Sequence, residues 1–135
     1  MSIKRTEHEE QVLLFNRCNQ HKDQYPELEW AYAVPNAGKR SYRMGSYMKA
    51  EGLRSGVPDV CLPVARQGYG SLYIEMKLPK KKPTDNQKKW IEGLKALGNK
   101  VEICYSHEEA WRVILDYLGY VEDEYEHGQL FKDHT

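Results

Sequence analysis

Residues 56–77, GVPDVCLPVARQGYGSLYIEMK, decide how the rest of the chain is read. Two short apolar runs are joined by a glycine-containing turn, the pattern of a β-hairpin. In the second run successive side chains point to opposite faces. Leu72, Ile74 and Met76 therefore share an apolar face, and Tyr73, Glu75 and Lys77 share the other. Once the hairpin closes, Asp59 comes alongside Glu75. Two carboxylates with an ammonium beside them can hold one hard divalent cation. Mg²⁺ suits such a pair because it takes few protein oxygens and completes its shell with water and substrate phosphate. Each part alone is ordinary: Glu-x-Lys is a common solvated strand pair, and Asp59 after Pro58 is a common turn residue. The combination, expected at the open edge of the strands and outside the core, is what points to chemistry.

Working outward, Thr6-x-x-Glu9 is a capping box that opens a helix with an apolar stripe of Val12, Leu13, Leu14, Phe15 and Cys18. At about 100° per residue Glu7 and Gln11 fall inside that stripe, Glu10 on its flank and Glu9 opposite. A carboxylate on the core side of a helix needs a partner, although Glu7 in the first turn also suits the helix dipole. Leu28 to Val34 is predicted as a first strand, and Pro35-Asn36-Ala37-Gly38 as the turn that ends it. Arg40 to Gly52 is predicted as a helix with Met44, Tyr47 and Met48 inward. Lys39, Arg40, Arg43, Lys49 and Arg54 cluster around it, interleaved with Tyr42 and Tyr47. That mixture suits phosphate contacts and base stacking. Pro79-Lys80-Lys81-Lys82-Pro83 is a basic loop, either solubilising or touching phosphate.

Thr84-x-x-Gln87 is a second capping box, opening a helix with Trp90, Ile91, Leu94 and Leu97 inward and stopped by Gly98-Asn99. Gln87 is either the cap alone or a site residue. Val101 to Tyr105 alternates as a strand, and Ser106-x-x-Glu109 is a third capping box. Its helix packs Ala110, Trp111, Ile114 and Leu118 and ends at Gly119. The order is α-β-α-β-β-α-β-α, an α/β fold with a mixed sheet flanked by helices. Residues 1–119 form the expected single domain. Residues 120–135, acidic and aromatic without periodicity, are expected as a tail or an arm over a partner subunit.

At 135 residues the chain can bury one proper core. No apolar run approaches the 18 or so residues of a membrane span, and the N-terminus lacks a signal-peptide core. Cys18, Cys61 and Cys104 are scattered inside apolar segments, as small core residues in a reducing cytoplasm would be. The five histidines show no metal-ligand spacing. Lysine plus arginine and aspartate plus glutamate both total 20, so net charge excludes no partner. The distribution says more. From Lys39 to Lys100 there are fourteen basic residues against five acidic, and from Glu102 to Thr135 two against nine. A basic centre with an acidic end fits a chain with one surface facing phosphate.

Pro58-Asp59 opening an apolar strand, followed by a strand carrying Glu75-x-Lys77, resembles the PD-(D/E)xK nuclease superfamily. With Pro35-Asn36-Ala37-Gly38-Lys39-Arg40, Met48-Lys49-x-x-Gly52, Gly56-Val57-Pro58-Asp59, Tyr73-Ile74-Glu75-x-Lys77 and then Gln87 and Trp90, the chain resembles a VRR-NUC domain. The likeness runs from about residue 7 to 118 and is to the compact stand-alone members of phages and bacteria. It implies a restriction-endonuclease-like core and hydrolysis of DNA with Mg²⁺ or Mn²⁺. It implies metal ligands at Asp59, Glu75 and the Met76 carbonyl, with Lys77 acting on the attacking water or on the phosphate. It also implies a helix-one carboxylate near the metal, for which Glu7, followed by Gln11, is the best match and Glu10 the reserve, and a glutamine at Gln87 reaching the site. Asn36, Lys39, Arg40, Arg43, Lys49, Arg54, Lys80 and Lys81 are the expected DNA contacts. Stand-alone members resemble Holliday-junction resolvases, so a homodimer acting on four-way junctions is expected. A flap or restriction-like endonuclease is the alternative, and a non-catalytic DNA-binding module the reading from another class.

Overall fold

The computed structural model describes residues 4–35 and 49–120. Its centre is a four-stranded mixed sheet in the order β1-β2-β3-β4. The strands are β1 (Tyr32–Ala33), β2 (Val60–Leu62), β3 (Leu72–Met76) and β4 (Lys100–Cys104). β2 and β3 are the antiparallel hairpin, with Val60 opposite Ile74 and Leu62 opposite Leu72. The turn at its tip carries positive φ at both Gln67 (54°) and Gly68 (87°), the twist-matched geometry of a two-residue hairpin loop. Gln67 keeps this conformation because its side-chain amide caps a helix end elsewhere, donating to the carbonyls of Asp116 and Tyr117.

Among the described residues, three complete α-helices flank the sheet: α1 (Glu7–His21), α2 (Asp85–Ala96) and α3 (His107–Leu118). β4 lies parallel to β3, and the connection between them passes through α2, as a parallel pair requires. The alternation of β3 sorts the two faces. Leu72, Ile74 and Met76 enter the main core with Leu14, Cys18, Trp111, Ile114 and Tyr117 from α1 and α3. Tyr73 turns the other way, into a smaller cluster under α2 with Ile91, Leu94 and Val101. All three cysteines are buried and unpaired.

Local signals and tertiary packing part company in several places. The predicted strand from Leu28 is a 3₁₀ helix over Pro26–Trp30, and only Tyr32 and Ala33 pair with β2. Pro26 at the helix start pre-sets φ, and Leu28 turns into the core at 3 % exposure. On α1 the buried row is Leu14 and Cys18, the centre of the expected stripe, joined by Glu10 from its flank, while Glu7 and Gln11 are only half-buried. Val12 is exposed. Leu97 is not inward either: it is the C-cap of α2 and 79 % exposed, while Trp90 is half-buried. The boxes at Thr6 and Thr84 are reciprocal. At Ser106 only half forms, because the Glu109 carboxylate accepts from the Tyr105 N–H instead. Most of the predicted helix from Arg40 lies outside the described residues, although Lys49 and Ala50 are helical.

At the C-terminal end, Gly119 takes the left-handed conformation (φ 88°) that ends α3. Tyr120, expected in the tail, packs on the core instead: its ring meets Tyr25 and its hydroxyl donates to Glu27. Residues 121–135 lie outside the described residues. Among the described residues no helix is long and apolar enough to cross a membrane.

Candidate active site

The hairpin register ends at Val60 opposite Ile74, and one further step puts Asp59 opposite Glu75. The Asp59 Oδ2 accepts the Met76 N–H at 2.8 Å, so this carboxylate is fixed against β3 by backbone. On its other side the Asp59 carbonyl accepts the Val34 N–H at 2.8 Å, extending the pairing with β1. Gly56, three residues earlier, has φ +94°, and a Cβ there would lie 2.7 Å from the Asn86 backbone. The approach to Asp59 is thus pressed against the first turn of α2, a contact that only glycine permits.

Glu75 is not at an open edge, as expected from the sequence, but 2 % exposed. Its Oε2 accepts from Gln87 Nε2 at 2.9 Å, while among the described residues nothing donates to the buried Oε1. Burial first, and then the neighbouring Asp59 charge, push the Glu75 carboxyl up to about 8; Lys77 opposes this and Glu7 adds to it. The Glu7 effect brings the start of α1 into the electrostatics of the site. Lys77, half-buried, continues the β3–β4 pairing through its N–H to the Cys104 carbonyl. The alternation of β3 places it on the Glu75 face.

Gln87 forms the cap and also reaches Glu75. Its Oε1 accepts the Thr84 N–H at 2.8 Å, completing the helix cap, and its Nε2 donates to Glu75. The cap fixes which end of the amide faces the carboxylate. Thr84 thereby positions the site through Gln87, a role that the capping box in the sequence does not reveal.

Glu10 belongs to another assembly. Its Oε1 accepts the backbone N–H of His107 at 2.8 Å and lies 2.9 Å from His107 Nδ1, and Arg5 reaches Oε2. Burial alone would raise its carboxyl, but the bonds from His107 and Arg5 outweigh it and hold Glu10 below the ordinary carboxylate range. With Glu108 it forms a close group of potential ligand atoms, yet the carboxylate is already engaged in capping α3. Of the expected DNA contacts, Lys49, Arg54, Lys80 and Lys81 are exposed. Asn36, Lys39, Arg40 and Arg43 lie outside the described residues.

A carboxylate pair facing across an antiparallel hairpin, with a lysine two residues on, sits within a sequence whose residues 4–108 match the VRR-NUC domain. The chain belongs to the VRR-NUC family. A solved structure described as a VRR_NUC domain protein is similar at 25 % identity and a TM-score of 0.71, covering 87 % of this chain and 91 % of that one. No curated protein matches in sequence. VRR-NUC membership implies nuclease function and makes DNA the indicated partner. The mixed sheet with flanking helices is the fold of that neighbour.

Proposed function

We propose that this VRR-NUC protein is an Mg²⁺- or Mn²⁺-dependent endonuclease that hydrolyses phosphodiester bonds in branched DNA, with the four-way junction as substrate and a homodimer as the working form. The observation that carries the metal reading is the buried Glu75 Oε1, to which no group among the described residues donates a hydrogen bond, beside the Asp59 carboxylate. An unsatisfied buried carboxylate oxygen is costly, and a cation there would satisfy it. The donors are all oxygens, which suits a hard divalent ion. Asp59, Glu75 and the Met76 carbonyl would hold it, with Glu7 completing the shell directly or through water. When bound, such a cation supplies Lewis acidity and neutralises charge on a phosphate oxygen.

The protein's own groups do the rest. Gln87 holds Glu75 by Oε2 and leaves Oε1 available to a cation. Lys77, on the same face, orients the attacking water and stabilises charge growing on the phosphate. The water oxygen attacks phosphorus, the bond from phosphorus to the 3′ oxygen breaks, and that oxygen takes up a proton. The products are a 5′-phosphate and a 3′-hydroxyl.

The test is a cleavage panel of four-way junction, flap and plain duplex, with Mg²⁺, Mn²⁺ or chelator. Junctions are expected to be cut by paired nicks, only with a divalent cation, and not by Asp59→Asn or Glu75→Gln. Cleavage of flaps but not junctions rejects the resolvase reading in favour of a flap nuclease. Undiminished cleavage by Asp59→Asn, or in chelator, rejects the site.

A further inference from the structure

Two described residues other than glycine have positive φ, Gln67 at 54° and Lys80 at 71°. Side chains seldom adopt this left-handed conformation, and its persistence needs a reason. Gln67 has one inside the molecule, because its amide caps the end of α3. Lys80 has none. It is exposed, and among the described residues it has neither a hydrogen bond nor an ion pair through its side chain. The Lys81 N–H donates to the Leu78 carbonyl at 3.1 Å. Leu78-Pro79-Lys80-Lys81 is therefore a type II turn in outline: proline second, positive φ third, and a bond from fourth to first. Glycine is the residue that the third position favours. A lysine stands there instead.

The place of this turn gives the lysine a purpose. It leaves β3 directly after Glu75 and Lys77, so the Lys80 Cα lies at most about 11 Å from that of Lys77. That is the rise of about three nucleotides at 3.4 Å each. Lys81 and Lys82 follow, both exposed. Arg54 belongs to the same rim, since the adjoining Ser55 accepts from Asn86 and Gly56 packs on the Asn86 backbone. The β3 end and Pro79 before it, and Pro83 after it, restrict the turn, so the ammonium is presented from a braced position and not from a loose loop.

We propose that Lys80 is a positioning contact for the DNA backbone, its ammonium engaging a phosphate a few nucleotides from the one at the carboxylate pair. The proposal rests on the nuclease reading above for its partner, but its test reads binding and stability, not cleavage. A fluorescent four-way DNA junction is titrated by anisotropy, without divalent cation, across a range of salt concentrations. The proteins are wild type, Lys80→Gly, Lys80→Asn and Lys95→Gln; Lys95 is exposed in the last turn of α2 and controls for net charge.

Lys80→Gly relieves the turn and should raise Tm by about 2–5 °C. It should also weaken DNA binding roughly three- to tenfold and lower the slope of log affinity against log salt by about 1. Lys80→Asn, which tolerates the same φ, should weaken binding equally, and Lys95→Gln should stay within about twofold of wild type. A more stable Lys80→Gly with wild-type affinity and slope overturns the phosphate contact while leaving the nuclease site standing. So does equal weakening by Lys95→Gln, which would show a net-charge effect only. Failure of wild type to bind DNA at all overturns the nuclease reading together with the contact.

Discussion

Glu75 keeps its proton to about pH 8 when buried without a cation, against an ordinary value of 4.5 in an unfolded chain. Between those values the native state holds a proton that the unfolded state has released. Stability therefore falls as pH rises from about 4.5 to about 8 and levels off above. Thermal melts of the chelated protein across this window should show the decline, and Glu75→Gln, which has nothing to titrate there, should flatten it. The same slope in both proteins would show that Glu75 is not the group responsible. Mg²⁺ or Mn²⁺ should restore stability most at the alkaline end, where Glu75 is ionised, because a ligand bound only by the native state stabilises by mass action.

At the scale of elements, α1 divides its acidic first turn between two tasks. Glu7 acts on the electrostatics of Glu75, whereas Glu10 ties α1 to the first residue of α3. This separates two substitutions that look alike in sequence. Glu7→Gln should reduce cleavage more than Glu10→Gln does. Glu10→Ala should cost about 1–3 kcal/mol of stability, since it removes a helix cap and strands a part-buried N–H. The depressed Glu10 carboxyl adds that this stability is lost as pH falls through the folded-state value, below the ordinary carboxylate range. Cleavage assays beside denaturant unfolding of these variants decide the division. Greater loss of activity from Glu10→Gln than from Glu7→Gln would move the helix-one carboxylate to Glu10.

For the whole molecule, the proposed junction substrate requires one small site to serve two equivalent strands. Two-fold symmetry presents two identical sites in fixed relation. Ten tyrosines and three tryptophans supply aromatic surface of the kind enriched in interface cores. Trp30 at 64 % and Tyr32 at 50 % exposure carry some of it at the β1 edge of the sheet. Light scattering at micromolar concentration should give twice the 15.8 kDa chain mass. A stable monomer would sink the dimeric resolvase and leave the metal site untouched.

The hairpin, the common side of Asp59 and Glu75, and the helix starts at Thr6 and Thr84 were legible in the residues alone. Each follows from an interaction within a few positions: the two-residue alternation of a strand, a turn that reverses it, a side chain reaching the third N–H onward. The VRR-NUC resemblance could be read for a related reason, because its motifs are short blocks in a set order. What the tertiary structure decided rests on contacts between distant positions. Glu10 is buried because His107, 97 residues away in sequence, needs its oxygen. Leu28 curls into a 3₁₀ turn although its neighbours favour strand, since the core beneath α1 takes its side chain. Glu75 holds its proton because the fold strips it of water and sets Asp59 beside it, while Gln87 of α2 reaches its other oxygen. No local pattern states how much water a carboxylate will lose; that depends on what the rest of the chain places over it.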